Sequence, residues 1–396
     1  RDRWQRIVGK APVRAFQKIV QMAIDKRVHA VLITGDVYTS ADHNLTAQLD
    51  YVRLLHKLAQ NNIQVFAVLG NHDPLEAWKA KIPFPPNVHI FPTESVERVP
   101  LVVDGEEVAA IYGQSYAKSE QRENLAWKFN RAAGDRFSIG MLHTQVGSRE
   151  STYAPCTLED LKECGMDYWA LGHIHKHEIL CEKPYIVYAG NPQGLDCTET
   201  GPRGCYYVEV GPYGTTDLEF IDTSIVRWES IDLAIDGIES VSELRESVRF
   251  AKEKVRRNIG KPTFLTVNFT GSGSMYHVLN NPEATQYWLD SWREEEQGKY
   301  AFVMVERLRN LARPRMNLGE RSKLPDSVGD YLNVFDKLEK LAPEEKVKAL
   351  RDILMSRPEF ERLGTYGRAL TDERLLETFE KAKWLGVQKL LEHRRG

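Results

Sequence analysis

Cysteine is scarce in this chain and its hydrophobic runs are short, and each shortage removes a class of protein. The five cysteines, Cys156, Cys164, Cys181, Cys197 and Cys205, are odd in number and show no Cys-x-x-Cys spacing. They read as reduced thiols of a cytoplasmic protein, not as a disulfide framework. No apolar run approaches the length of a bilayer span, and the first residues are charged rather than signal-like, so no membrane segment is expected. A formal net charge of −3 gives no global basic signature for nucleic acid, and any contact with DNA has to come from a local patch. At 396 residues the chain exceeds what one core usually serves, so two or three domains are expected.

Against these absences stand four clusters of ligand-type residues: Gly35-Asp36, Gly70-Asn71-His72-Asp73, His143, and Gly172-His173-Ile174-His175. Asp36 ends the run from Ala30 to Thr34, Asn71 the run from Ile63 to Leu69, His143 the run from Phe137 to Leu142, and Gly172 the run from Tyr168 to Leu171. The runs are short and rich in β-formers, so each reads as a buried strand. Functional groups in open α/β sheets gather at the carboxyl ends of strands. Four strands therefore deliver a carboxylate, an amide oxygen and three imidazoles to one rim. That mixture suits manganese, iron or zinc better than calcium, which prefers oxygen alone.

Singly these clusters say little, because Gly-Asp is usually a turn and Asn-His usually a loop. In order, they resemble the signature of the calcineurin-like metallophosphoesterases. The segments from Met141 to Gly147, Asp167 to Lys176 and Tyr188 to Gly194 narrow the resemblance to the DNA-repair exonuclease branch, which contains SbcD subunits and YhaO-like proteins. The YhaO-like pattern fits best, and the motif-bearing stretch runs from about Ala11 to Asp222.

The resemblance implies a DNA nuclease with two divalent ions, Mn²⁺ first and Fe or Zn as alternatives. It implies that Asp36 bridges the ions, that Asn71, His143 and His173 complete one site, and that His175 serves the other. It makes His72 the group that stabilises or protonates the leaving oxygen, which an imidazole can do near neutral pH, with Asp73 orienting His72 through a hydrogen bond. It also implies an SbcC-like or YhaN-like coiled-coil ATPase partner, and leaves homodimerisation open. The family carries a further Asp-x-His on a strand ahead of the first helix. This chain opens at Arg1 with no Met, and Asp2-Arg3-Trp4 is not that motif, so an N-terminal truncation with impaired activity is expected.

The expected fold is α/β: a two-sheet sandwich flanked by helices over residues 1–222, a small α/β cap over 223–322, and a helical region over 323–396. A helix from Pro12 to Lys26 presents Val13, Phe16, Ile19, Val20, Ala23 and Ile24 on one face. The tail stripe of Val328, Tyr331, Leu332, Phe335, Leu338 and Leu341 reads first as private core, with ATPase docking as the alternative the resemblance implies. On the cap helix, Arg249, Lys252 and Arg256 are the candidate DNA contacts, set against a solvated face with interleaved Glu246 and Glu253. His177 reads as an exposed continuation of the last motif, and His29, His43, His56, His89, His277 and His393 as structural or surface residues. The motifs leave two other functions open: an esterase for small phosphodiesters or nucleotides, and a non-catalytic scaffold that binds DNA or docks an ATPase.

Overall fold

The computed structural model describes residues 2–37, 45–75, 82–148, 150–357, 360 and 371–392. Two compact units divide the chain: Arg1–Ile231 with Phe250–Val267 and Leu289–Arg307, and Asp232–Arg249 with Asn268–Trp288 and Leu308–Gly396.

The first unit holds both expected sheets. One is parallel, in the order β1 (Ala30–Ile33), β2 (Gln64–Ala67), β3 (Val88–Ile90). The other has six strands, in the order β4 (Glu97–Val103), β5 (Glu106–Gln114), β6 (Ser138–His143), β7 (Tyr168–Gly172), β9 (Tyr185–Tyr188), β8 (Glu178–Glu182). Its inner strands β5, β6, β7 and β9 are parallel, while β4 and β8 run antiparallel at the two edges. A two-stranded hairpin follows, β10 (Gly204–Val210) and β11 (Thr216–Asp222).

Apolar residues from both sheets fill the space between them. Phe66 and Val68 meet Ile111, Met141, Ala170 and Val187 in one core cluster, with Tyr206, Val208 and Leu218 of the hairpin packed against it. The outer face of the parallel sheet is covered by α1 (Asp2–Asp25) and α2 (Leu45–Gln60) through Val20, Ala23, Leu54, Leu55 and Leu58. The outer face of the larger sheet is covered by the segment around Leu125 to Phe129 and by α3 (Leu158–Glu163). Parallel strands with both faces covered read as near-continuous apolar runs, which is why β7 is buried throughout its length and β6 at every position but Ile139.

Helix α1 begins ten residues earlier than Pro12, which lies inside it. Proline removes one intrahelical donor. Burial outweighs that loss: Trp4, Ile7, Val8 and Ala11 continue the apolar spacing and pack with Val226, Trp228, Phe264 and Phe302, Trp4 meeting Phe302 edge-on at 4.2 Å between ring centroids.

Beyond β11 the expected alternation is present, as strands Arg227–Ala234, Thr263–Thr270 and Val303–Asn310 with helices Val241–Ile259 and Pro282–Glu294. In the second unit, helices Ser327–Glu339, Pro343–Met355 and Asp372–Glu392 bury their stripes against one another. Val328, Leu332 and Val387 form one cluster; Leu350, Leu375 and Phe379 form the next, with Phe335 and Leu338 against it. Most of the tail stripe is therefore private core.

The larger sheet makes a sharp demand at Gly140. A Cβ there would lie 2.5 Å from the ring of Trp169 on the neighbouring strand, and Trp169 is wholly buried with its Nε1 donating to the Leu161 carbonyl at 2.9 Å. Gly140→Ala should therefore destabilise the protein by about 2 kcal/mol, the usual scale of overpacking, seen as a lower urea midpoint at unchanged slope. An unchanged midpoint would show that the sheet yields freely at this position.

Candidate metal centre

His143 ends β6 and is fully buried. Its Nδ1 lies 2.9 Å from the carbonyl oxygen of Thr34, just past β1. A carbonyl only accepts, so the proton is on Nδ1, and in the neutral ring Nε2 carries the lone pair. That Nε2 stands 2.9 Å from Oδ1 of Asn71 and 3.3 Å from Oδ2 of Asp36. Nδ1 of His173 is 3.2 Å from the same Asn71 oxygen. The ends of β1, β2, β6 and β7 thus converge, parallel pairing aligning the ends within each sheet and the His143–Thr34 bond joining one sheet to the other.

Glycine makes this convergence sterically possible. A Cβ on Gly70 would fall 2.3 Å from Oδ1 of Asp36 and 2.6 Å from Cε1 of His143. On Gly172 it would lie 1.9 Å from the Thr34 carbonyl oxygen. Two ligand-type residues also sit in the left-handed region, Asp36 at φ 54° and His173 at φ 97°, conformations that non-glycine residues hold only where surrounding contacts over-determine them.

The donor set fits a divalent cation. With its Nδ1 committed to the Thr34 carbonyl, His143 has Nε2 left to offer a metal beside the Asn71 oxygen and the Asp36 carboxylate, which it faces at 2.9 and 3.3 Å. Adjacent ligands about 2.1 Å from a six-coordinate ion stand about 3.0 Å apart, so these separations match neighbouring corners of one coordination shell. Among the described residues, no three His, Cys, Asp or Glu side chains form a metal cage by themselves; the amide oxygen of Asn71 joins the rings of His143 and His173, and Nε2 of His143 joins that pair to Asp36. Burial, then neighbouring His143, lowers the His173 pKa to about 4, so its ring is neutral and able to ligate near neutral pH. Burial pushes the Asp36 carboxyl up, but the bond to His143 and the N–H of His72 outweigh it and hold it below the usual range.

His175 lies outside this contact set. Its described ring contact is a hydrogen bond from Nδ1 to Oε1 of Glu199, which raises its pKa against the opposing effect of burial. His72 is exposed, and its backbone N–H donates to Oδ1 of Asp36 at 2.8 Å.

Asp73 differs from expectation. Its buried carboxylate accepts from the backbone N–H groups of Gly70 at 2.8 Å, Val37 at 3.0 Å and Asp36 at 3.1 Å. These described bonds run to main chain and not to the His72 ring, so Asp73 fastens the loop after β1 to the loop after β2. Its pKa is raised, burial exceeding the effect of those three donors.

Several residues around the centre carried no signal in sequence. Tyr153 lies 4.5 Å from the His173 ring and Tyr116 lies 5.4 Å from the His143 ring, both between centroids, while Glu199 meets His175 from 24 residues downstream. His177 is not an exposed continuation: its ring stacks on Phe220 at 3.7 Å and is partly buried. His89 pairs with Glu97 at 2.8 Å, and His43 and His393 lie outside the described residues.

Comparison with known proteins agrees with this geometry. Residues 9–177 match the family described as calcineurin-like phosphoesterase, and residues 228–313 match the middle domain of metallophosphoesterase YhaO. The uncharacterized metallophosphoesterase YhaO of Bacillus subtilis is 33% identical over 315 residues, covering 78% of this chain and 76% of that protein. The DNA double-strand break repair protein Mre11 of Sulfolobus acidocaldarius is 23% identical over 267 residues, covering 61% of this chain and 66% of that protein. Its counterpart from Thermoplasma acidophilum is 27% identical over 286 residues, with 67% and 73% covered.

Within the second matched stretch, the candidate DNA face on helix Val241–Ile259 is corrected by the structure. Lys252 is 1% exposed; its Nζ lies 3.0 Å from Oε1 of buried Glu296 and reaches the Trp292 carbonyl. Arg256 donates to both oxygens of Glu296 at 2.9 Å and to the Ala301 carbonyl. Both cations are used inside the fold, and of the three only Arg249 lies at the surface, paired with Glu246. Burial raises the Glu296 pKa, but the Val303 N–H, Arg256 and Lys252 outweigh it and hold the group at about 2, against an ordinary value of 4.5. A depressed carboxyl stabilises the fold above its unfolded value and loses that contribution as pH falls through its folded one. Glu296 should therefore contribute roughly 3 kcal/mol at neutral pH, lost between about pH 4.5 and about pH 2. Denaturation of Glu296→Gln across that range should show a flatter pH dependence than the parent, and equal curves would remove Glu296 as the source.

Proposed function

Because the chain belongs to the calcineurin-like metallophosphoesterases of the YhaO-like family, we propose that it hydrolyses phosphodiester bonds in DNA as a repair nuclease. The observation that carries this reading is the meeting of Asp36, Asn71, His143 and His173 through side-chain oxygen and imidazole nitrogen atoms, the donor types a divalent cation takes. Calcineurin-like metallophosphoesterases bind divalent metals, and Mn²⁺ is the ion we assign. DNA as substrate rests on the Mre11 relatives, which are named for double-strand break repair. The same relationship supports a coiled-coil ATPase partner; a cytoplasmic location and a division into catalytic part, cap and helical tail at residues 222 and 322 complete the proposal, the cap being supported by the middle-domain match over 228–313.

Bound at this centre, divalent ions neutralise the anionic phosphate oxygens and make water a better nucleophile. The chain's own groups supply the remainder. Asn71, His143 and His173 would hold one ion, Asp36 would be shared between the two, and His175 would serve the second. The His143 bond to Thr34 keeps Nε2 as the inward atom before any ion arrives. His72 stands beside Asp36 through its main chain and offers its ring to the leaving oxygen, donating a proton from a ring nitrogen as the P–O bond breaks. Asp73 holds the two loops in register and takes no proton from substrate.

A second reading, hydrolysis of a small phosphodiester, is favoured by the internal use of Lys252 and Arg256, which removes two cations from any DNA track. Assays with Mn²⁺ on duplex and single-stranded DNA beside a small chromogenic diester separate the two. His72→Ala should lower DNA cleavage by about 10²- to 10⁴-fold at unchanged metal content, whereas His173→Ala should lose both. If His72→Ala also empties the centre, its role as a proton donor fails; if only the small diester is cleaved, DNA is not the substrate.

A further inference from the structure

We propose that Glu199 is a positioning residue for His175, fixing the imidazole with its proton on Nδ1 so that Nε2 is presented as a metal donor; this rests on the reading of His175 as a ligand. The His175 side chain is 46% exposed on the loop after β7, where an unrestrained ring samples several rotamers and both tautomers. Glu199 removes that freedom. Its Oε1 meets Nδ1 of His175, and a carboxylate held ionised only accepts, so the hydrogen is on Nδ1 and the neutral ring's lone pair is on Nε2. Metal-bound histidines are commonly oriented by such a carboxylate.

Glu199 is itself over-determined. Its Oε2 accepts from Nδ2 of Asn191 at 2.9 Å and from the N–H of Leu195 at 2.7 Å, and its side chain is 13% exposed. With both oxygens engaged by N–H donors, it is not placed to ligate an ion directly. The same loop grips the main chain of His175. The carbonyl of His175 accepts from the Asn191 N–H at 3.0 Å and from Nη1 of buried Arg203, which also reaches Oδ1 of Asn191 at 3.3 Å. Gly190, at φ 73°, is where this loop passes closest: a Cβ there would lie 2.7 Å from the His175 carbonyl oxygen. Ring and backbone of one residue are thus both held by residues 190–203, a stronger restraint than closing the loop alone requires.

The test uses the full chain labelled with ¹⁵N-histidine, metal-free at about pH 9, where imidazoles are neutral. Long-range ¹H–¹⁵N correlations report the tautomer, and His175→Ala assigns the signal. The parent should show His175 protonated on Nδ1; Glu199→Ala should move the proton to Nε2, the preferred site of an unrestrained imidazole. Glu199→Gln, of equal volume, guards against misfolding. Its carbonyl is drawn to the Asn191 and Leu195 donors, which turns its NH₂ toward Nδ1 and gives the same switch. Mn²⁺ titration should then show one ion bound about 10- to 100-fold more weakly in Glu199→Ala, with no further loss when the change is made in His175→Ala. An unchanged tautomer overturns the proposal, as does an equal loss of Mn²⁺ affinity with and without His175, since Glu199 would then act on the ion or the fold directly. A tautomer switch at constant Mn²⁺ affinity instead sinks the reading of His175 as a ligand, and the presentation of Nε2 with it.

Discussion

The hydrogen bond from Nδ1 of His143 to the carbonyl of Thr34 is the contact on which the centre depends. It joins the end of β6 in the larger sheet to the end of β1 in the parallel sheet, so it registers the two layers at their carboxyl edges. It also decides chemistry, because it leaves Nε2 as the atom that faces Asn71 and Asp36. A ring turned the other way would aim a lone pair at a carbonyl oxygen and leave the buried imidazole unsatisfied, a penalty of about 1–3 kcal/mol. The absence of side chains at Gly70 and Gly172 follows from the same contact, since each gives up its Cβ to the space that His143 or Thr34 occupies.

Once that registry is set, the loops need a second fastening, and Asp73 provides it. Three backbone donors from two loops converge on its carboxylate, which carries the constraint from β1 across to the segment bearing Asn71 and His72. The arrangement buries a carboxyl close to Asp36, and the Asp36 charge adds to the rise in the Asp73 pKa. Two carboxyls brought together at a partly buried rim are electrostatically unfavourable unless positive charge joins them. A divalent cation answers that demand more fully than backbone dipoles do, and the centre is in this sense built around a charge that the chain does not carry.

At the metal centre, what was legible in the sequence was whatever lay within one strand and its following turn. The ends of β1, β2, β6 and β7 could be read because a parallel strand is a short apolar run and its terminal ligand follows at once. The β4–β5 hairpin went unread although its signal was present: Asp104 and Gly105 both take positive φ, the preference of a two-residue hairpin turn. The first ten residues of α1 went unread because Pro12 looks like a helix start, and only burial of Trp4 and its neighbours overrides it. Glu199 was invisible for a different reason. Its partner is 24 residues away, brought near by the path of residues 190–203, and an acidic residue in a Gly- and Pro-rich loop that also carries Asp196 has no spacing to betray it. Asp73 was misread because adjacency in sequence suggested a partnership with His72, while its described hydrogen bonds lead to the main chain.

The basic helix shows how a charge pattern misleads when it is counted without its face. Lys252 and Arg256 follow Leu244 and Val248 at intervals of four, so all four project from one side of the helix. Leu244 and Val248 are fully buried. The two cations therefore extend an inward stripe, and Glu296, 1% exposed, is the group that makes their burial tolerable. Arg249, one position after Val248, falls off this stripe and is the one left at the surface beside Glu246. A nucleic-acid face requires cations whose hydrogen-bonding capacity is still available to phosphate. On this helix periodicity and charge point in opposite directions, and periodicity decides: the positions that looked most like a DNA track are those the fold consumes.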